Sequence, residues 1–363
     1  MQLHHCFSRL LLCLTATLAN AAWAYPEYRV TVVGPPNSAA TDINRYGVVT
    51  GDYTTASATL RAFLNRGAGV VYLGTLGGTS SNAVAINDRG QVLGEWTTAT
   101  GQTRGFLYYA GTRRDIGVIP GRNTRYTDIN DGGFITAYGT TPGVGPRGFL
   151  RAPDGTLTDL GTLPYDDPMT FASALNNRNQ VTGASGPLTV PDQPWRAFRW
   201  AGGSMHDLGD LGATPNYGQA INACGQITGS MSMPTGTHNR VAFLYNHGRL
   251  MDLDGRPATD ERDSAGTGIN GLGHVVGTSN HLSGFVYRGR RMQSLNALID
   301  PALHWDIQAP QAINNAGQIA ATATRHGVQY AVRLDLIRPM LELAPDLGAE
   351  GELPNFQAEH GQH

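Results

Sequence analysis

Ala85-Ile86-Asn87-Asp88-Arg89-Gly90-Gln91-Val92-Leu93-Gly94 reads as a strand end, a four-residue turn and a new strand, and the chain writes this pattern seven times. The other copies begin at Asp42-Ile43-Asn44, Asp128-Ile129-Asn130, Ala174-Leu175-Asn176, Ala220-Ile221-Asn222, Gly268-Ile269-Asn270 and Ala312-Ile313-Asn314. Successive asparagines are 43, 43, 46, 46, 48 and 44 residues apart, the period of a repeat architecture built from one supersecondary unit. Asn first and Gly fourth suit a type I turn, in which the Asn side chain bonds the backbone two residues on. The fourth position is Gly47, Gly90, Gly133, Gly225, Gly273 and Gly317, and Asn179 in the fourth repeat. Asn tolerates the left-handed backbone that such a hairpin needs. Asn179→Gly is therefore expected to be neutral or slightly stabilising, and Asn179→Val destabilising. Asn44, Asn87, Asn130, Asn176, Asn222, Asn270 and Asn314 read as structural turn residues.

Two further marks complete the unit. One is a strand centred on Phe, in Arg61-Ala62-Phe63, Arg104-Gly105-Phe106, Arg147-Gly148-Phe149, Arg196-Ala197-Phe198, Val241-Ala242-Phe243 and Ser283-Gly284-Phe285, worn to Tyr330-Ala331-Val332 in the last repeat. The other ends the following strand, as in Tyr72-Leu73-Gly74, Asp115-Ile116-Gly117, Asp159-Leu160-Gly161 and Asp207-Leu208-Gly209. Each unit thus has strand a before the Asn turn, b after it, c around the Phe and d ending near Leu-Gly. The last unit lacks its own d, and Arg29-Val30-Thr31-Val32-Val33-Gly34 at the front of the chain can supply it. Four-stranded sheets at this period are the units of β-propellers, and closure removes exposed edges. The expected fold is all-β: a seven-bladed β-propeller closed by the N-terminal strand. An open β-solenoid would leave that strand without a role.

These marks, together with the Asp159-Leu160-Gly161-Thr162-Leu163 element, resemble the bacterial extracellular HAF repeats, named for a His-Ala-Phe tripeptide. The resemblance runs from about Tyr28 to Leu334, and it implies an exported repeat protein with no established activity. The His of the tripeptide is replaced in this chain by Arg61, Arg104, Arg147, Arg196, Val241, Ser283 and Tyr330.

Residues 1–24 have the form of a secretory signal: Arg9, the apolar run from Leu10 to Leu18, and Ala22-Trp23-Ala24 at the cleavage position. Residues 25–336 form the repeat domain, and residues 337–363 an acidic tail with no repeat marks, expected to be disordered. Removal of the leader takes Cys6 and Cys13 with it and leaves Cys224 alone, so no internal disulfide is expected. Charged residues are 15% of the chain and the net charge is −2, which argues against nucleic-acid or anionic-membrane partners. No later segment is long and apolar enough for a transmembrane helix. A secreted monomer, extracellular or periplasmic, is expected.

Variable loops on a rigid scaffold gather binding residues. Here the variable connections are b–c and d–a, at residues 52–60, 164–170, 184–195, 230–239 and 254–268. The ligand-binding candidates on that face are Tyr53, Trp96, Tyr165, Trp195, His238 and Trp305. The acids that could serve a polysaccharide hydrolase or lyase are Asp166, Asp167, Asp260, Glu261 and Asp263. Arg61, Arg104, Arg147 and Arg196 share one repeat position. They read either as partners of Asp on adjacent strands or as a basic arc for carboxylates and acidic sugars. No motif implies a metal or cofactor, and Gly266-Thr267-Gly268-Ile269-Asn270-Gly271 spells a dinucleotide fingerprint only outside its strand-to-helix context. The expected role is binding of a glycan or an extracellular protein; the alternatives are polysaccharide cleavage and a structural part in the envelope or matrix.

Overall fold

The computed structural model describes residues 27–337 apart from 142, 166–167, 188–193, 213, 234–238 and 258–260. The leader, the acidic tail from residue 338, and the candidates Asp166, Asp167, His238 and Asp260 lie outside the described residues.

The described chain is all-β apart from two short 3-10 turns, Leu295–Ala297 and Pro301–Leu303. The first repeat shows the plan, with strands a to d at Ser38–Ile43, Val49–Thr54, Leu60–Asn65 and Val70–Tyr72 paired in that order. The later a strands are Ser80–Ile86, Asn123–Ile129, Pro168–Leu175, Asn216–Ile221, Arg262–Ile269 and Trp305–Ile313. The strands form five four-stranded sheets and one eight-stranded sheet. In the latter, repeats five and six touch through a short parallel pairing of Asn239 with Arg262 and Arg240 with Asp263. In the last sheet the N-terminal strand Tyr28–Pro36 takes the outer place beside Val328–Leu336, with Tyr28 opposite Leu336 and Val32 opposite Val332.

The repeat marks have physical causes. Every a strand carries a bulge just before its last residues, for example between Ala40 and Asp42 and between Ala83 and Ala85. Beside the bulge the facing residue of strand b is Gly in five repeats. A Cβ on Gly51 would stand 2.2 Å from the Ala39 carbonyl and 2.8 Å from the Phe63 ring; one on Gly94 would stand 2.3 Å from Phe106. The Phe of strand c therefore lies flat over a residue with no side chain. Phe63, Phe106, Phe198, Phe243 and Phe285 are fully buried, each contributing on the order of 2–3 kcal/mol by leaving water. Ala137 stands in place of Gly in the third repeat, where Phe149 is slightly less buried. The Leu that closes strand d donates its N–H to the residue before the Phe, as Leu73 does to Ala62 at 2.9 Å and Leu160 to Gly148 at 3.0 Å.

The core is a set of small clusters, each shared by neighbouring sheets. Leu64 and Leu73 pack with Ile86, Val92 and Phe106, and Val33 and Ala331 pack with Ile43, Val49 and Phe63. The asparagines join these units at the inner edge. Each Asn Oδ1 accepts the N–H four residues on, and each Nδ2 donates to the main-chain carbonyl of the next repeat's Asn. The last of these bonds runs from Asn314 back to Asn44 at 3.0 Å. Positive φ appears at all the fourth turn positions, including Asn179 at 57°. One sequence expectation needs correction here. The Asn179 side chain accepts a 2.7 Å hydrogen bond from Asn130 Nδ2, so Gly at 179 would remove a partner of a buried amide as well as relieve backbone strain.

Candidate binding surface

Residues of all seven a strands line two cavities at the inner edges of the sheets. The one on the turn side has a volume of about 260 Å³ and is rimmed by the asparagines and the aliphatic residues before them, from Ile43 to Ile313. A second cavity of about 210 Å³ follows, bordered by Asp42 and Asp128. These two carboxylates are struts between repeats. Asp42 accepts the N–H groups of Ile43 at 2.7 Å and Ile86 at 2.8 Å, and Asp128 those of Ile129 at 2.7 Å and Leu175 at 2.9 Å. Burial pushes Asp42 up to about 7 against those donors. Burial, with the Asp42 charge adding to it, pushes Asp128 up to about 8. Asp52, bonded to Ala83 N–H at 2.6 Å, is also raised by burial to about 7. Oxygens already engaged by backbone donors are poorly placed to exchange protons with a substrate.

The arginine position resolves into pairs. Arg104 meets Asp115 at 2.7 Å, Arg147 meets Asp159 at 3.2 Å, and Arg196 pairs with Asp210. Arg61 instead donates to the carbonyls of Leu60 at 2.9 Å and Thr79 at 2.8 Å. Three of the four are thus neutralised within their own repeat, and the row offers no continuous free charge to a ligand. Among the described candidate acids, Asp263 pairs with Arg240 at 2.7 Å and Glu261 is exposed. Among the described residues no group of three or more His, Cys, Asp or Glu side chains is placed to hold a metal ion, and no helix is long and apolar enough to cross a membrane.

Most of the candidate aromatics are dispersed. Tyr53 tilts against Tyr72 at 5.1 Å, and Trp96 packs on the cluster between the first two sheets. Tyr165 is half-buried near Arg196, its phenol raised by burial. Trp305 meets Tyr330 edge-on at 5.7 Å with the Arg325 guanidinium over its ring at 5.3 Å.

Trp195 is different. It is one ring of a run that the sequence reading did not assemble: Tyr138 to Phe171 at 4.9 Å, Phe171 to Trp195 at 5.3 Å, and Trp195 to Tyr217 at 6.3 Å with planes only 27° apart. The run crosses from the third repeat to the fifth on the side of the variable loops. Tyr138, Phe171 and Trp195 are half-buried and Tyr217 is 36% exposed. At its Tyr138–Phe171 end opens a groove of about 540 Å³ that also takes in Gln102, Arg122, Asn123 and Arg125. Arg125 is held by buried Glu95 at 3.0 Å, and Glu95 also accepts the Tyr126 N–H at 2.9 Å. Arg122 lies 5.3 Å over the Phe149 ring. Fixed aromatic faces beside amides and guanidinium groups can stack on a flat ligand and bond its polar edge. A sequence signal was available: Phe171 stands four residues before Leu175, and Tyr217 four before Ile221, where the second repeat has Asn82.

No family model matches the chain, and no curated sequence matches it. Solved structures do. The β-propeller domain of the Trilobed protease from Pyrococcus furiosus aligns with a TM-score of 0.53 at 9% identity, over 82% of this chain and 93% of that one. A puromycin-hydrolyzing peptidase from Mycobacterium tuberculosis aligns with a TM-score of 0.54 at 13% identity, over 89% of this chain. The acylaminoacyl peptidase of Pyrococcus horikoshii aligns with a TM-score of 0.52 at 10% identity, over 82% of this chain. This chain spans 54% and 51% of those two peptidases' lengths. At such identities the likeness concerns the fold alone: the chain has the β-propeller fold.

Proposed function

We propose that this is an exported, seven-bladed β-propeller that binds carbohydrate on its variable-loop face, along the Tyr138–Phe171–Trp195–Tyr217 run. The blade count treats the eight-stranded sheet as two blades joined at a short parallel contact. Closure is supported by the N-terminal strand in the last sheet and by the Asn314-to-Asn44 bond that returns the inner belt to its start. Export is supported by the leader and by the resemblance to HAF repeats.

The observation that carries the binding role is the aromatic run beside an open groove whose lining, among the described residues, contains no carboxylate. Rigid ring faces bind sugar faces and other flat apolar surfaces at low entropic cost, because a ring has few torsions to lose. A hydrolase or lyase would need two acids flanking one bond, and the described acids are paired, exposed or bonded to backbone donors. Tyr217 is the most exposed member of the run, so Tyr217→Ala leaves the packing of Trp195 largely in place. A glycan binding screen on the mature chain, followed by titration of the best ligand, should show the variant weakened by about tenfold or more with an unchanged melting temperature. Unaltered affinity in Tyr217→Ala, Phe171→Ala and Trp195→Ala alike would remove the run from the binding site. Turnover of the bound glycan would establish the enzyme reading in its place.

A further inference from the structure

On the opposite face, between the first two repeats, a cavity of about 340 Å³ is lined by Tyr46, Arg66, Arg89 and Tyr109, with Asp88 as its one acid. Asp88 is already engaged: it accepts the Arg45 N–H at 2.8 Å and faces the Arg45 guanidinium at 3.4 Å. The side chains of Arg66 and Arg89 are exposed and have no hydrogen bond or ion pair among the described residues. Two uncompensated positive charges therefore flank one cavity in a chain of net charge −2. Arg104, Arg147 and Arg196, by contrast, are each paired with an Asp.

The aromatic component is equally specific. Tyr46 is 68% exposed and Tyr109 54% exposed, among the most exposed large side chains of the protein. The Arg45 guanidinium lies 5.0 Å from the Tyr46 ring centre, which restricts that ring. The backbone beneath is fixed by the asparagine belt, since the N–H groups of Tyr46 and Arg89 each donate to their turn Asn at 3.1 Å. Tyr109 is held at the end of strand Thr103–Tyr109, before the tight Ala110–Gly111 turn with φ values of 47° and 87°. Planar guanidinium groups bond carboxylate and sulfate oxygens in pairs, and exposed tyrosine faces stack on the apolar face of a sugar ring.

We propose that this turn-face cavity is a second binding site, for an acidic saccharide bearing carboxylate or sulfate groups. The anion sits between Arg66 and Arg89 while the sugar ring lies on Tyr46 and Tyr109. The site is independent of the loop-face run.

Calorimetric titration of the mature chain with trigalacturonate, with a sulfated galactan oligosaccharide and with neutral maltotriose tests it. At least one acidic probe should bind, with an affinity that falls as salt is added, and maltotriose should not occupy the site. Which acidic probe binds tells carboxylate from sulfate recognition. Arg66→Gln with Arg89→Gln should weaken the acidic probe by about tenfold or more, as should Tyr46→Ala with Tyr109→Ala, with melting temperatures preserved and Tyr217→Ala having no effect. Failure of both acidic probes to bind, or equal binding by the arginine double variant, overturns the proposal. Loss on arginine replacement with none on tyrosine replacement reduces the site to bulk charge attraction and overturns its saccharide assignment.

Discussion

At the scale of single residues, one turn position shows how a local rule is modified by a neighbour. Asn179 has the positive φ that Gly meets without strain, yet its side chain is also an acceptor for buried Asn130. Asn179→Gly should therefore cost up to about 1 kcal/mol, since the lost hydrogen bond slightly outweighs the relieved backbone. Asn179→Val loses the same bond and adds a β-branched side chain at positive φ, so it should cost about 2–3 kcal/mol. Urea denaturation of the two variants checks this; equal midpoints would discard the left-handed turn. The buried carboxylates act through pH. Asp42, Asp52 and Asp128 have folded values of about 7, 7 and 8, raised from the ordinary 3.8 by burial. The folded protein then holds more protons than the unfolded chain between those limits, so stability falls as pH rises through that window. Melting temperature should be higher near pH 5 than near pH 8, and Asp42→Asn with Asp128→Asn should flatten the difference, as far as Asp52 allows. A profile that rises across the same window would show that the backbone donors outweigh burial.

At the scale of elements, the N-terminal strand Tyr28–Pro36 is the one piece of a sheet supplied from the far end of the chain. Tyr28 and Val33 are buried, and neighbouring Glu27 pairs with Arg288, whose side chain is only 3% exposed. Removing residues 27–33 would unpair the edge of Val328–Leu336, strip Tyr28 from the core of the last sheet and take away the Glu27 carboxylate that pairs with Arg288. The truncated chain should melt at a much lower temperature and aggregate through the open edge; melting like the intact protein would show that the strand is dispensable. Within the sheets the same logic governs Gly94. Gly94→Ala should cost about 1–3 kcal/mol by forcing Phe106 away from the strand beneath it, readable as a shifted denaturation midpoint.

At the scale of the whole molecule, the repeats share small cores in sequence order, so stability is spread across many similar interfaces. The belt of asparagines couples those interfaces at the axis, where each amide serves its own turn and the next repeat's carbonyl. The proposed export gives a check at this scale. Intact mass of the protein recovered outside the cytoplasm should correspond to a chain beginning after Ala24, and recovery only as the full chain inside the cell would end that proposal.

The sequence by itself determined the all-β character, the four-strand unit, its boundaries and the outer place of the N-terminal strand. These follow from short-range causes: turn chemistry at Asn and Gly, a period-two strand pattern, and a missing fourth strand in the last repeat. It also pointed to pairing for Arg104 and Arg147, since an Asp recurs near the end of strand d, whereas Arg196 passes over Asp207 for Asp210 in the connection beyond it. What it left open lies between repeats. That Trp195 joins Tyr138, Phe171 and Tyr217 depends on how three neighbouring sheets present their edges, a relation that no local spacing encodes. That Arg66 and Arg89, beside Tyr46 and Tyr109, have no partner among the described residues likewise depends on which acids the fold carries away, because Asp88 reads as a partner for any of them until tertiary structure gives it to Arg45. Apart from the N-terminal strand and the short parallel contact between repeats five and six, strand pairing is decided by neighbours in the chain, whereas a binding surface is decided by side chains from different repeats meeting across their interfaces.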